Sequence, residues 1–394
     1  MNRFVKLSNI AELTVGFVGT MAQHYTDSGV PFLRSLNIKP FEITNGDLKY
    51  ISKQFSHSIS KSILRENDVV IVRTGIPGTC CVVPGEFDGS NCSDVIIARP
   101  DMSVVNPHFL AAYINYWGRK QIQNNKVGAI QQHFNVRSAE EMLIYLPPIN
   151  IQNQIAAIVI ALNKKIECNL RLCTELEIMA KTLYDYWFVQ FDFPDENGCP
   201  YRTSGGEMVW NAQLKREIPK GWTTTTVGKT LAKIPNTTRI LSSKYMNEGQ
   251  IPVIDQSSEF IAGYTNDPEA ILKSDSGYIV FGDHTRVVKY IRFPFARGAD
   301  GTQVLKSNNP CIPEELFYQM VNSIDLSNYG YARHFKFLKD TLIMVPDKNI
   351  SNEFVKIVRP IYEKQVGIVF ENIELIKLRD WLLPMLMNGQ ARVE

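Results

Sequence analysis

The chain lacks the long apolar runs and the paired cysteines that mark several classes of protein. No apolar run reaches the roughly 18–20 residues that a membrane span needs, and the first residues, MNRFVKLSNIAEL, contain no apolar stretch typical of a secretory signal. The seven cysteines, at positions 80, 81, 92, 168, 173, 199 and 311, form no Cys-x-x-Cys pair and no Cys/His spacing typical of zinc. We therefore expect a cytoplasmic protein with reduced thiols and no metal site.

The chain also lacks a marked excess of charge of either sign. Its 42 Lys and Arg residues against 40 Asp and Glu residues leave a formal net charge of +2 over 394 residues. A generally basic nucleic-acid binder is thus excluded, and any binding of nucleic acid must use local patches or a partner's help. The length allows two or three domains, each with its own core.

Catalytic signatures are absent or incomplete. The sequence VGKT at 227–230 resembles the end of a phosphate-binding loop, but the glycine required five residues before Gly228 is Thr223. LPPI at 146–149 lacks the polar residue with which amino-methyltransferases hold a target amine. No Gly-rich loop predicts a dinucleotide or S-adenosylmethionine site, and GDHTR at 282–286 lacks a nucleophile elbow. We expect no catalytic residue in this chain.

What the chain does contain is a long internal repeat. LPPINIQNQIAAIV (146–159) and VPDKNISNEFVKIV (345–358) are identical at six of 14 positions. Upstream of each lie two strand-like segments and a Pro-started helix in the same order. These pairs are GVPFLRS (29–35) and QIPVIDQ (250–256), NDVVIVRTG (67–75) and SGYIVFGDH (276–284), and NPHFLAAYI (106–114) and IPEELFYQM (312–320). The repeat predicts a duplicated mixed α/β module, each copy followed by one long helix.

Both predicted long helices carry apolar stripes at heptad spacing. The stripes are Ile155, Leu162, Asn169, Leu176 and Leu183, then Val159, Ile166, Cys173, Ala180 and Trp187, and in the second copy Phe354, Ile361, Ile368, Leu375 and Leu382. Mutual burial of these stripes predicts a two-helix coiled-coil stalk, antiparallel if a two-fold axis relates the copies. We expect Asn169 to fix the register at a cost in stability. Pro360 predicts a kink or a late start, and Pro384 a stop.

Polar and aromatic residues follow the predicted strands in both copies. Gln, Asn, Ser and Thr side chains can read base edges, and Arg and Lys position phosphates, so these residues are candidates for DNA binding, with ordinary solvated loops as the alternative. In the first copy they are Gln23, His24, Tyr25, Arg34, Asn37, Lys39, Arg73, Thr74, Ser90, Asn91, Gln131, Gln132 and His133. In the second copy they are Gln256, Ser257, His284, Thr285, Arg286, Arg297, Tyr331, Arg333 and His334. The two sets differ, so the two copies would read different sequences.

Several segments together resemble the specificity subunits of type I restriction–modification systems. They are LPPINIQNQIAAIVIALNKKIECN followed by LYDYWF, the linker FPDENGCPYRTSGGEMVWN, the re-entry REIPKGW and the ending LRDWLLPMLMNGQ. The resemblance covers essentially the whole chain. It implies an α+β fold with two mixed α/β target recognition domains in tandem duplication, separated by two long antiparallel helices that form a coiled-coil stalk. The implied parts are recognition domain 1 (1–148), the central helix (149–190), a surface linker (191–220), recognition domain 2 (221–347) and the C-terminal helix with its tail (348–394).

The resemblance also implies the function and the partners. Each recognition domain would read one half of a bipartite asymmetric site in double-stranded DNA, and the helices would set the spacer and dock two modification (methyltransferase) subunits. Those subunits would bring S-adenosylmethionine and flip the target adenine, and restriction subunits would join the full complex. This chain itself would be non-catalytic and bind no cofactor. The competing hypotheses are a standalone DNA methyltransferase or nuclease and a protein-interaction scaffold that does not bind DNA.

Overall fold

A computed structural model describes residues 3–118, 121, 134–330 and 333–387 of the chain. The protein forms two compact units. Unit 1 comprises Met1–Cys168 with Asn372–Glu394, and unit 2 comprises Asn169–Glu371. The predicted recognition domains, 1–148 and 221–347, each lie within one unit, and the division between the units falls inside the two long helices.

The described part of unit 1 combines short sheets with three short helices besides the long one. Its strands are β1 (Arg3–Lys6), β2 (Ala11–Val15), β3 (Tyr25–Thr26), β4 (Val30–Leu33), β5 (Ile38–Lys39), β6 (Glu42–Ile43), β7 (Lys49–Ile51), β8 (Val69–Val72), β9 (Cys80–Val82), β10 (Asn91–Cys92), β11 (Val95–Pro100) and β12 (Leu143–Leu146). Its short helices are α1 (Lys53–Ser58), α2 (Pro107–Tyr113) and α3 (Val136–Glu140), and the long helix α4 (Ile149–Tyr184) begins in this unit. Four-stranded sheets have the orders β2-β11-β8-β9 and β10-β4-β7-β3. All four residues of β8 are buried, as its unbroken apolar run predicts.

Unit 2 repeats this composition after an extra hairpin. Its strands are β13 (Met208–Asn211), β14 (Arg216–Pro219), β15 (Thr223–Thr226), β16 (Ile251–Ile254), β17 (Gly263–Thr265), β18 (Ile271–Leu272), β19 (Tyr278–Gly282), β20 (Val288–Ile291), β21 (Phe295–Arg297), β22 (Thr302–Leu305) and β23 (Leu342–Val345). Its helices are α5 (Glu314–Asn322), α6 (His334–Asp340) and most of the long helix α7 (Lys348–Met387). Sheets of order β17-β16-β21-β18 and β20-β19-β22 form its framework.

The strand pairings confirm that the fold is a tandem duplication. Strand β8 lies antiparallel between β9 and β11, as β19 lies between β20 and β22. Strand β4 is parallel to β10 and antiparallel to β7, as β16 is parallel to β21 and antiparallel to β17. The first strand of each copy pairs with the strand before its long helix, β1 with β12 and β15 with β23. The mixed α/β module that the repeat predicts therefore occurs twice.

The two long helices pair antiparallel within each unit, as the heptad pattern predicts. In unit 2, Asn169 Nδ2 donates to Glu371 Oε2 at 2.9 Å, and Gln365 Nε2 donates to the carbonyl oxygen of Cys173 at 3.0 Å. In unit 1, Arg379 Nη1 donates to Asn163 Oδ1 at 3.1 Å. The predicted stripe residues of both helices are buried or half-buried, Asn169 among them. Among the described residues, no helix has the length and apolar character needed to cross a membrane.

The predictions of a late start at Pro360 and a stop at Pro384 are wrong, whereas a kink at Pro360 stays a prediction. Helix α7 begins at Lys348 and runs to Met387, so Pro360 does not delay its start and Pro384 does not end it. Pro360 is exposed, and because it has no backbone N–H the helix lacks one hydrogen bond there. Residues on either side of it, Phe354 and Ile368, are buried in the core, and this packing holds the helix through the proline.

The predicted surface linker is only partly a surface feature. Phe191 and Phe193 are buried, and both rings pack against Trp222, with ring centroids at 5.6 and 5.3 Å. Strands β13 and β14 then form an antiparallel hairpin. The aromatic residues therefore anchor the linker to the core of unit 2, while most of its remaining residues are exposed.

Candidate nucleic-acid interface

In unit 2, the ends of three strands meet at one edge. Strands β16 and β21 are parallel, with Ile254 opposite Arg297, so their carboxyl ends lie side by side. The residue after β19, Asp283, donates its backbone N–H to the carbonyl oxygen of Gly301 at 2.7 Å. The residues after all three strands therefore come together, although they are far apart in sequence.

Gln256 connects the candidate side chains at this edge. Its Nε2 donates to the carbonyl oxygen of Asp300 at 3.0 Å, and its Oε1 accepts from the backbone N–H of His284 at 3.1 Å. The Thr285 hydroxyl donates to the backbone oxygen of Gln256 at 2.7 Å. A Cβ on Gly301, whose φ is +73°, would lie 2.6 Å from Gln256 Nε2, so this position favours glycine. The amide keeps one further donor and one further acceptor site for a ligand.

The neighbouring candidates differ in how far their side chains are exposed. Ser257 is half-buried and its hydroxyl donates to Asp255 Oδ1 at 2.6 Å, whereas Arg286 and Arg333 are exposed. His284 and Thr285 are exposed as well, and Arg297 is half-buried at the end of β21. Tyr331 lies outside the described residues.

The prediction that His334 binds DNA is wrong. Its side chain is buried, and its Nδ1 and backbone nitrogen lie 3.0 and 2.9 Å from the carbonyl oxygen of Asp283. The Asp283 carboxylate accepts from the backbone N–H of Phe335 at 2.8 Å, in the first turn of α6. His334 therefore fixes α6 against the end of β19 and does not face the surface.

Unit 1 has the same convergence of strand ends. The backbone N–H of Arg73, which follows β8, donates to the carbonyl oxygen of Asp94 at 3.2 Å, and that of Ser93 donates to Leu33 at 2.9 Å. Arg73 Nε also donates to the carbonyl oxygen of Phe134 at 3.3 Å. Arg73 and Thr74 are half-buried at this edge.

Arg34 also follows a strand at this edge, but an acid neutralises it. Its Nη2 lies 2.8 Å from Asp47 Oδ2, and Lys49 Nζ lies 2.7 Å from Asp47 Oδ1. Hydrogen bonds from Arg34 and Lys49 lower the pKa of the Asp47 carboxyl to about 2. Asp47 is therefore ionised throughout the physiological range, and the pair with Arg34 persists there.

Three further candidates of unit 1 are wrong because their side chains are buried. Asn37 Nδ2 donates to the carbonyl oxygens of Thr44 and Gly46 at 3.1 and 2.9 Å. Asn91 accepts from Ser56 and donates to Ser62. Ser90 is also buried. The two asparagines hold turns inside the domain, which is the usual role of a buried amide.

The remaining candidates of unit 1 lie apart from these strand ends in sequence. Gln23 and Lys39 are exposed. The ring of His24 stacks on that of Phe55 with centroids 3.9 Å apart, and the ring of Tyr25 meets Phe32 edge-on at 6.0 Å. Gln131, Gln132 and His133 lie outside the described residues.

The two edges offer amide, hydroxyl, imidazole and guanidinium groups. These groups can donate and accept hydrogen bonds at base edges and bind phosphate oxygens. Over the described ranges, no group of three or more His, Cys, Asp or Glu residues is placed to hold a metal ion. Sequence reasoning missed Arg239, which lies beside Arg297 through a pairing between distant segments.

This chain is similar to known proteins in sequence and in fold. Residues 3–177 match the family model of the type I restriction modification DNA specificity domain. The type I restriction enzyme MjaIX specificity subunit of Methanocaldococcus jannaschii is 21% identical to this chain, with 99% of this chain and 93% of that protein aligned. The crystal structure of the type I restriction–modification S subunit from M. genitalium superposes with a TM-score of 0.55 at 14% identity, covering 98% of this chain and 96% of that one. At that identity, the superposition indicates a common fold.

Proposed function

We propose that this chain belongs to the type I restriction–modification DNA specificity family and reads a bipartite asymmetric DNA site. Each recognition domain binds one half of the site, and the chain directs methylation and restriction by partner subunits. The observation that carries this proposal is the duplicated scaffold with different side chains at its two strand edges. One scaffold used twice with different polar groups reads two different short sequences.

The surfaces of the long helices support docking of two modification subunits. Large apolar side chains are exposed on them, which is typical of protein interfaces. In unit 2 these include Leu170, Ile178 and Met179 on α4 and Ile357 on α7, and in unit 1 they include Trp381 on α7. Leu170 and Ile178 are eight residues apart and therefore share one face of α4.

The chemistry in this proposal belongs to the partners. The modification subunits bind S-adenosylmethionine and methylate a flipped adenine, and restriction subunits join to cleave. The chain itself is non-catalytic and selects the sequence. Its net charge of +2 fits a subunit that shares phosphate contacts with its partners.

A titration at fixed salt tests the division of labour. A labelled duplex that carries the site is titrated with the chain alone and with the chain plus its modification subunit. We expect weak binding by the chain alone and tight, sequence-specific binding by the complex. Equal affinity in the two titrations would contradict shared phosphate contacts, and methylation by the chain alone would contradict a non-catalytic role.

A further inference from the structure

Two arginines of unit 2 lie side by side at the strand edge described above. Ile240 donates its backbone N–H to the carbonyl oxygen of Arg297 at 3.0 Å, and Ala299 donates to the carbonyl oxygen of Ile240 at 2.7 Å. These bonds form a parallel bridge between Ile240 and Gly298. The residues one step earlier, Arg239 and Arg297, are therefore neighbours across the bridge, with Cα atoms about 5 Å apart.

The two arginine side chains lie on one face of this bridge, and Arg297 shares that face with the buried residues Ile254 and Phe295. Ile240 and Gly298 are buried, and side chains alternate between the two faces of an extended segment. Arg239 and Arg297 consequently share the opposite face, where Arg239 is exposed and Arg297 is half-buried. The bridge fixes the two backbone segments through main-chain hydrogen bonds, so the Cα atoms of the two arginines stay adjacent.

The residues that the structure describes give neither guanidinium group an acid partner. Within the described part of the chain, neither arginine has a carboxylate within 4 Å, and the Nε of Arg297 is buried without a hydrogen bond. Burial and the positive charge of Arg239 both lower the pKa of Arg297, and no acid acts in the opposite direction. Like charges opposite each other destabilise a strand pair. A bound anion between them would remove that repulsion and satisfy the buried donor.

We propose that Arg239 and Arg297 together bind one backbone phosphate of the DNA beside the half-site that recognition domain 2 reads. This assignment rests on the proposed function. The phosphate contact would raise the affinity for DNA and position the domain on the duplex, but it would not select a base.

A phosphate fits this pair better than a base does. One guanidinium suffices for the two acceptors of a guanine edge, and a second cation beside it adds only repulsion. A phosphate carries a full negative charge and several acceptor oxygens, which two forked guanidinium groups can share. The candidates for reading bases, Gln256 and His284, lie at the ends of neighbouring strands.

The test uses the complex of the full chain with its modification subunits. Binding of a site-bearing duplex is measured by fluorescence anisotropy from about 50 to 300 mM salt, for the wild type and for the double variant Arg239→Gln with Arg297→Gln. The control is Lys273→Gln, an exposed cation that follows β18 and lies toward the amino end of β21. The methylated motif of each variant is read by sequencing the host genome.

For the double variant we expect about tenfold weaker binding at the lower salt. The slope of log affinity against log salt should become less steep by about 1, because one phosphate contact is lost. The methylated motif should not change, and Lys273→Gln should behave as wild type. The single exposed variant Arg239→Gln, together with a thermal melt, covers the case in which the double variant folds poorly; it should show part of both effects.

Three results would overturn the assignment to a phosphate. The first is an unchanged affinity and salt slope in the double variant when the wild-type complex binds its site. The second is relaxed base selection in the second half-site of the methylated motif. The third is a loss of affinity in Lys273→Gln as large as that in the double variant. By contrast, a wild-type complex without any sequence preference would refute the proposed function itself. The two failures are therefore distinguishable.

Discussion

The two recognition domains use equivalent backbone positions with opposite charges. Strand register makes Arg34 equivalent to Asp255, because they follow the paired residues Leu33 and Ile254. In the same way, the residue after β8 is Arg73 and the residue after β19 is Asp283. The backbone N–H of Arg73 donates to Asp94, which precedes β11, and that of Asp283 donates to Gly301, which precedes β22.

A third equivalent position reverses the trend. Buried Cys92, the last residue of β10, corresponds to Arg297, the last residue of β21. Of the three equivalent positions, domain 1 therefore has a cation at two, Arg34 and Arg73, and domain 2 has a cation at one, Arg297. Main-chain hydrogen bonds maintain the scaffold in both copies, and they leave the side chains at the strand ends free to differ. This comparison explains how one fold can recognise two unrelated sequences within one chain.

The largest expected effect concerns the shared scaffold. Ile155 and Phe354 occupy equivalent places in the two long helices, and both are fully buried. Phe354→Ala should lower the free energy of unfolding by about 3–5 kcal/mol and Ile155→Ala by about 2–5 kcal/mol, because each leaves a cavity. Denaturant unfolding of each variant measures the loss.

A matched control lies on α7, the helix that contains Phe354. Ile357→Ala removes a side chain that is 48% exposed, and it should change the free energy of unfolding by less than about 1 kcal/mol. If the variant at Ile155 or Phe354 lost no more than this control, the two copies would not share one scaffold.

The next effect should be confined to domain 2. Gln256→Ala removes the amide that joins Asp300 to His284, so base selection in the second half-site should relax by about 1–3 kcal/mol at the positions this edge reads. Methylome sequencing checks which half of the motif changes. Gln250→Ala, at the other end of the same strand and exposed, is the control. Relaxation of both halves would argue against separate reading by the two domains.

A smaller effect tests the charge comparison in domain 1. Asp47→Asn removes the carboxylate that pairs with both Arg34 and Lys49, so the complex should bind DNA more tightly and with a salt slope steeper by up to about 1. The control Asp27→Asn removes an exposed acid elsewhere in the domain and should leave the slope unchanged. An unchanged slope for Asp47→Asn would mean that Arg34 does not contact phosphate.

The smallest effect concerns the helix pair. Asn169 is buried, whereas its partner Glu371 is exposed and can regain water if the bond is lost. Asn169→Leu should therefore raise the free energy of unfolding by about 1 kcal/mol. A shift of the urea midpoint with an unchanged m-value would show it. A fall of similar size would mean that the hydrogen bond outweighs apolar burial.

Much of the scaffold could be predicted from sequence because its signals are local. The apolar run at 69–72, the Pro-started helix at 107–113 and the heptad stripes each depend on residues close together in the chain. Local propensity predicts a late start at Pro360 and a stop at Pro384. Buried residues flank both prolines, however, with Phe354 and Ile368 around the first and Leu383 and Leu386 around the second. Tertiary burial on both sides carried α7 through Pro360.

The candidate site was less predictable because its geometry depends on pairings between distant segments. Asn37, Asn91 and His334 have the residue types of DNA contacts, but turns and bridges bury them. Arg239 gave no signal, since only the bridge between Ile240 and Gly298 places it beside Arg297. Sequence alone does not reveal such juxtapositions.

The most direct test of the central claim replaces one recognition domain. Residues 1–148 are exchanged for the corresponding domain of a family member with a different target, and the methylome is mapped in a host that expresses the chimera with the modification subunit. We predict that one half of the methylated motif changes while the other half is retained. A change in both halves, or in neither, would contradict the reading of two half-sites by two separate domains.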